Sequence, residues 1–407
     1  MIILFALILK IGLMTISPWS YNFLYTVKLA TLRFTGENYG MTPWVVLQNS
    51  LYRLWLLLPV DHPNLDPWVI ASKSPPGDFG GFLLIFLLKL PILICDIFSG
   101  VVIYKILRLK EVGGERAFAF FALWILNPYT TLFAEMDGTV DIVVVFFSLL
   151  TVYLYLNGRR GSAAFSLFIG TVVKLYSILL LPVVATVSVV RRLWRVFALF
   201  LVFSILGVAL YSLWVSATGA NMLQTFLNYT PLTFQFSEIL LTPYDSRIGL
   251  ATVFGFIYLF LVHLFWDRKK LENFEQVCLG FLLFYFAFFN WWPSYLLLLV
   301  GFMFLEAGVH LKAGRYMITL LLSAFIFELT VFSLGNEYSL FYIDLYFPWM
   351  RTASDLLSQL TRDIVVRLVF MPLLRSLYTA LSLYYGVRVL FRNSSLLKVR
   401  LAGIDTL

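Results

Sequence analysis

Long apolar runs broken by short charged or aromatic stretches dominate the chain. A helix that crosses a bilayer needs about 20 such residues, and the runs predict spans at roughly 1–16, 81–107, 116–134, 139–157, 163–190, 194–216, 248–266, 276–291, 293–311, 316–334 and 366–391. The expected fold class is therefore all-α: a polytopic membrane protein with about 11 transmembrane helices in a single domain over 1–407. The run 163–190 is too long for one simple span and is interrupted by Lys174 and Pro182. It reads as a broken hairpin that goes in and comes back. Basic clusters set the orientation: Lys105, Arg108, Lys110 and Arg116 flank one loop. Arg159-Arg160, Arg191-Arg192 with Arg195, Arg268 to Lys270, and Lys312 with Arg315 mark the others. All can lie inside if 163–190 is a hairpin, which leaves the N-terminus and the tail "RNSSLLKVR" cytoplasmic.

Three long segments then face the non-cytoplasmic side: 17–80, 217–247 and 335–365. They are aromatic and amphipathic, as expected of interfacial helices, and "PWVVLQNSLYRLWLLLP" (43–59) is the best example. Loops of this length in a compact domain are usually functional. The domain thus divides into a first outward loop (17–80), a central module (81–190) and peripheral helices (194–391). No internal repeat is visible, so an inverted-repeat transporter is not supported.

Composition agrees: 61% of residues are hydrophobic and only 13% charged, against about 25% in soluble chains. The net charge of +8 fits basic cytoplasmic loops and needs no nucleic acid. Cys95 and Cys278 lie in apolar runs and read as buried free thiols. His62, His263 and His310 are too scattered for a zinc site, and His263 reads as a helix-packing residue. The run Met1 to Met14 lacks a basic start and a small-residue cleavage site, so it reads as a retained span.

Ionisable residues at membrane depth mark functional candidates. Lys89 and Asp96 stand two helical turns apart on one face, with Pro91 between them. The plainer reading is a snorkelling lysine and a capping aspartate. In "NPYTTLFAEMDGTVD" (127–141), Asp137 and Asp141 are four apart, on one face of a helix that Gly138 helps to open. Acid there either answers the helix dipole or lines an outward cavity, holding a sugar hydroxyl, a metal or a partner arginine. Two carboxylates leave a divalent cation as an option, and no other cofactor is expected. Lys174, mid-run in "GTVVKLYSILLLP", calls for an anionic partner: Asp96, Asp141 or a lipid phosphate. Arg247 opens a span beside an outward loop, where it grips phosphate or anchors beside Asp245. Glu306 and Glu328 are further mid-span acids without an assigned role.

Several stretches together resemble the GT-C superfamily of membrane glycosyltransferases. The nearest likeness is to the branch of GPI mannosyltransferases and mycobacterial polyprenyl-phosphate-mannose-dependent mannosyltransferases. The stretches are "SPWSYNFLYTVKLATLRFTGENYGMTPW" (17–44), "SPPGDFGGFLLIFLLKLPILICDI" (74–97), "LNPYTTLFAEMDGTVDIVVVFFSLL" (126–150), "VVKLYSILLLP" (172–182) and "NWWPSYLLLLV" (290–300). Lys89, Pro91 and Asp96 match the family's Lys-x-Pro and membrane aspartate. Asn127, Pro128, Gly138 and Asp141 match its Asn-Pro and Gly-Gln-x-Asp, with Thr139 in place of the glutamine. Lys174, Tyr176 and Pro182 match its Lys-x-Tyr before a proline.

The resemblance implies an inverting transfer of a sugar, mannose by the nearest likeness. The donor would be a polyprenyl-phosphate carrier and the acceptor a lipid, glycan or protein on the non-cytoplasmic side. It implies donor and acceptor contacts from Lys89, Asp96, Asp141, Lys174 and Tyr176, to which Asp137 and Arg247 are added from their own positions, and an acid in the first outward loop as general base. That acid falls on Asn22, which cannot take a proton at ordinary pH. Glu37, Asp61, Asp66 or Asp78 can act instead, Glu37 and Asp78 being favoured. Otherwise the chain is an inactivated variant, or a GT-C-like subunit or lipid-binding or flipping protein without transferase chemistry, working with an accessory membrane subunit.

Overall fold

A computed structural model of the chain describes residues 2–16, 43–66, 78–216, 247–267, 273–288, 293–311 and 371–394, with isolated positions in 23–31 and 314–322. Asn22, Glu37 and Glu328 lie outside the described residues, as do nearly all of the two later outward loops and the candidate span 316–334. Among the described residues the fold is all-helical, with a single isolated bridge between Trp266 and Ser394. The elements are α1 (Ile2–Ile16), α2 (Pro43–Leu56), α3 (Phe79–Leu109) and α4 (Gly114–Ile125). A turn at Pro128–Thr130 and a π-helical segment at Thr131–Met136 follow. Then come α5 (Asp141–Leu156), α6 (Arg160–Val173), a 3₁₀ segment (Leu175–Leu179), α7 (Leu180–Val190) and α8 (Trp194–Ser216). The described chain ends with α9 (Arg247–Phe265), α10 (Phe274–Phe288), α11 (Pro293–Val309) and α12 (Met371–Asn393).

Among the described residues, three stretches are long and apolar enough to cross a membrane: Phe79–Leu109, Gly114–Met136 and Trp194–Leu213, with shorter apolar helices beside them. Two of the shorter ones come from the interrupted run 163–190. α6 ends at Val173, Lys174 is extended (φ −155°, ψ 127°), and helix resumes through a 3₁₀ turn. Arg160 at the start of this run and Arg191 at its end both come within electrostatic reach of the Tyr155 phenol. The two ends of the run thus lie near one side chain.

Several basic residues engage polar partners on α10 to α12. Lys110, just past α3, pairs with Glu275 at the start of α10 (2.8 Å) and donates to Asn273 (3.0 Å). Tyr155 stacks on Phe274 (4.4 Å between centroids). Arg116 and Arg392 both act on His310. Arg392 also meets the buried Glu306 (2.7 Å), which accepts further bonds from Tyr385 and Gln276. Glu306 is thus the anchor of a polar clasp joining α10, α11 and α12.

Pro91 lies inside an unbroken α3 rather than bending it into two turns. A proline strips one donor from the preceding turn. The carbonyl it leaves open is that of Leu87, and the next one, Leu88, accepts from the buried Gln48 Nε2 on α2 (3.0 Å). The main core runs through α3 to α7 and α9 to α12, with a smaller cluster of Phe23, Val27, Trp55, Leu84 and Leu88 at the α2 side. Leucine, isoleucine and valine on the outer face of α8 stay exposed (Val202 62%, Leu213 63%), as expected where a helix meets lipid. Exposure corrects one reading: His263 points outward and does not pack between helices. Cys278 is buried and Cys95 partly so, and both are free thiols.

Candidate functional site

Two interruptions of helix meet inside the bundle. The first joins the π-helical segment to α5. Gly138 takes φ +71°, and a Cβ there would sit 2.7 Å from the Phe23 ring, so glycine answers both the backbone and the close approach. Thr139 donates its hydroxyl to the Phe133 carbonyl (2.9 Å) and ties the turn back on itself. The turn delivers Asp137, half-buried, and Asp141, 1% exposed at the first position of α5. The second interruption is the extended residue Lys174.

The two are bridged by one ion pair: Lys174 Nζ donates to Asp141 Oδ1 at 2.6 Å. Of the partners the sequence offered to Lys174, the carboxylate present is Asp141. The pair is asymmetric, because the lysine side chain is 30% exposed while the aspartate is buried. Tyr295 (4.8 Å) and Tyr176 (5.5 Å) turn their rings toward the ammonium and pack edge to face on each other. The Tyr176 hydroxyl also reaches the Asp141 carbonyl (3.4 Å). A lysine ammonium carries three donors, and among the described residues the hydrogen bond Lys174 makes is the one to Asp141.

Lys89 and Asp96 share a face of α3 but diverge. Lys89, fully buried, donates to the Met136 carbonyl (2.7 Å) and the Met14 carbonyl (3.3 Å), lies 4.6 Å over the Phe23 ring and feels the charge of Asp137. It thereby clamps the segment that carries Asp137. Asp96 instead meets Lys10 of α1 at 2.6 Å. The same ammonium donates to Glu135 Oε1 and Thr130 Oγ1, both at 3.0 Å. The sequence assigns Lys10 no part, and Glu135 is among the acids of 127–141 expected to line an outward cavity; the structure buries it against Lys10 instead. A lone lysine in "LILKIGL" carries the signal of an ion at membrane depth, and that is how it could have been found.

At 1.5 Å per residue, Asp96, Asp141 and Lys174 each stand about 20 Å along their helices from the basic residues at the helix ends. Nonhelical backbone and charge within so apolar a bundle survive only inside protein or beside a water-filled cavity. Asp78 stands apart: it N-caps α3, its Oδ1 accepting from Gly81 N at 2.7 Å. The cap occupies one of its two carboxylate oxygens. Arg247 opens α9, and its side chain is outside the described residues. Among the described residues no three histidine, cysteine, aspartate or glutamate side chains gather as a metal site. No protein-family model and no solved structure matches the chain.

Proposed function

We propose that the chain is a membrane glycosyltransferase that takes a sugar, mannose by its nearest likeness, from a polyprenyl-phosphate donor and passes it with inversion to a lipid or glycan hydroxyl. The observation that carries this reading is Lys174. It lies at a break in helix, its carboxylate partner is sealed, and its own side chain is open (30% against 1%). An ammonium with donors to spare, at membrane depth and walled by two tyrosines, suits the phosphate of a lipid-linked sugar, whose prenyl tail needs an apolar surround.

In the proposed reaction the acceptor oxygen attacks the anomeric carbon as the carbon–oxygen bond to phosphate breaks. The polyprenyl phosphate leaves with the bonding pair, and a carboxylate takes the hydroxyl proton. Lys174 offsets the charge growing on the leaving phosphate. Asp141 orients Lys174, and Asp137 lies near enough to Lys89 to bind sugar hydroxyls. Glu37 and Asp78 remain the candidates for the base, with Arg247 as a second phosphate contact.

A second reading has its own support. Asp78 is engaged as a cap, and Asp96 and Glu135 turn to Lys10 rather than to Lys174. A chain arranged this way can hold or move polyprenyl phosphate, or serve as a subunit of a larger assembly, without transferring sugar. Purified protein in proteoliposomes, given radiolabelled polyprenyl-phosphate mannose and mixed lipid acceptors, separates the two. Transfer that disappears in Lys174→Ala supports the enzyme. No transfer with that donor or with glucose- and arabinose-linked carriers favours the binding protein.

A further inference from the structure

The cluster around Lys10 has a deficit of protons. Lys10 is 2% exposed, and Asp96, Glu135 and Thr130 are fully buried. The ammonium has three N–H bonds, and all three are used, on Asp96 Oδ2, Glu135 Oε1 and Thr130 Oγ1. Thr130 spends its own hydroxyl proton on the Asn127 carbonyl (3.0 Å). The second oxygen of each carboxyl, Asp96 Oδ1 and Glu135 Oε2, is buried with no hydrogen-bond partner. The two carboxyls nonetheless lie side by side, since both bond the same ammonium, at 2.6 and 3.0 Å. Two ionised carboxylates would sit together on the one ammonium that hydrogen-bonds both, each with its second oxygen buried and unpartnered.

Among the described residues the other cation near the pair is Lys89, whose charge acts on Glu135 as well as on Asp137, so that two ammoniums answer three carboxyls. α1 contributes Lys10 alone, and α3 contributes Asp96, the neighbouring thiol of Cys95 and Lys89. Lys89 directs its hydrogen bonds to the Met14 and Met136 carbonyls. The π-helical segment contributes Glu135 and, past Met136, Asp137. α4 presents the Trp124 indole, which donates to the Asp96 backbone carbonyl (3.0 Å). On α11, Tyr295 belongs to the Lys174 cluster and Glu306 to the Arg392 clasp.

We propose that Asp96 and Glu135 form a proton-binding site, one proton being held between Asp96 Oδ1 and Glu135 Oε2. That proton makes the cluster neutral, with one ammonium, one carboxylate and one carboxylic acid, and it satisfies both orphaned oxygens with a single bond. It also fastens the π-helical segment to α3, and so holds the turn that delivers Asp137 and Asp141. A π-helical turn is a frequent companion of such sites. The inference does not depend on the transferase reading.

Infrared difference spectroscopy of the full chain in detergent, in ordinary and heavy water at neutral pH, tests it. The wild-type protein is expected to show the carbonyl stretch of a protonated carboxyl, shifted by deuterium. Glu135→Gln and Asp96→Asn should each remove that band and still fold, because an amide in either position offers the hydrogen that the proton supplied. Loss of the band in both folded variants supports the site. A band that is absent from the wild type, or that survives both substitutions, overturns it. Failure of both variants to fold overturns it too, since an isosteric neutral group in the place of the acid should then be harmless.

Discussion

Replacing Lys10 by methionine keeps most of the side-chain volume and removes the charge that holds three helical segments together. Three hydrogen bonds are lost, two of them to carboxyls at 2.6 and 3.0 Å. Removing one partner of a buried ion pair costs about 3–5 kcal/mol, because the charge left behind has no compensation. The penalty has a ceiling, since the stranded aspartate escapes it by taking a proton. For a carboxyl with an ordinary reference value near 3.9, that costs about 4 kcal/mol at pH 7 and about 1.5 kcal/mol at pH 5. Lys10→Met is therefore expected to lose about 3–4 kcal/mol at pH 7. The loss shrinks as pH falls, because the folded variant then binds a proton that its unfolded chain releases. Equilibrium unfolding in mixed SDS micelles at both pH values measures this. The double variant Lys10→Met with Asp96→Asn should recover more than half of the loss at pH 7. A single-variant cost below about 1 kcal/mol at pH 7, no larger than ordinary surface substitutions produce, would refute the reasoning.

Asp78→Asn separates capping from catalysis, because asparagine caps a helix about as well as aspartate. Stability should change by a few tenths of a kcal/mol at most, and sugar transfer should fall at least a hundredfold if Asp78 is the base, as read in the proteoliposome assay. Asp78→Ala should in addition cost about 1 kcal/mol in unfolding. Gly138→Ala forces a side chain into φ +71° and against Phe23. It should cost about 1–2 kcal/mol for the left-handed backbone, plus about 1–3 kcal/mol for the clash. Phe23→Leu in the same chain should return part of the clash cost alone, by the same micelle titration. Asp141→Ala leaves Lys174 without its carboxylate, and transfer should drop while added inorganic phosphate becomes a stronger inhibitor. Unchanged inhibition would count against phosphate binding at Lys174.

The helical class and the interruption at Lys174 were legible because both are local. Apolar runs declare themselves residue by residue, and a lysine within a run too long for one crossing marks a break. Partnership was not legible. Lys10 meets residues 86 and 125 positions away, and nothing in the spacing of Lys89 and Asp96 says that two neighbours on one face choose different companions. Asp78 shows a further limit. A carboxylate just before a helix reads equally as a cap or as a base, and its bond to Gly81 N establishes the cap without touching the other role. Thr139 looked like a departure from a pattern, yet its hydroxyl closes the turn that a longer side chain would have to leave.

The most direct measurement is phosphorus NMR of a polyprenyl monophosphate titrated with the purified protein in micelles. The account expects saturable broadening or shift of the phosphate resonance with wild-type protein, and its loss in Lys174→Ala with the fold intact by circular dichroism. An identical response from the alanine variant, or none from the wild type, would contradict the assignment of Lys174 as the group that grips the lipid phosphate.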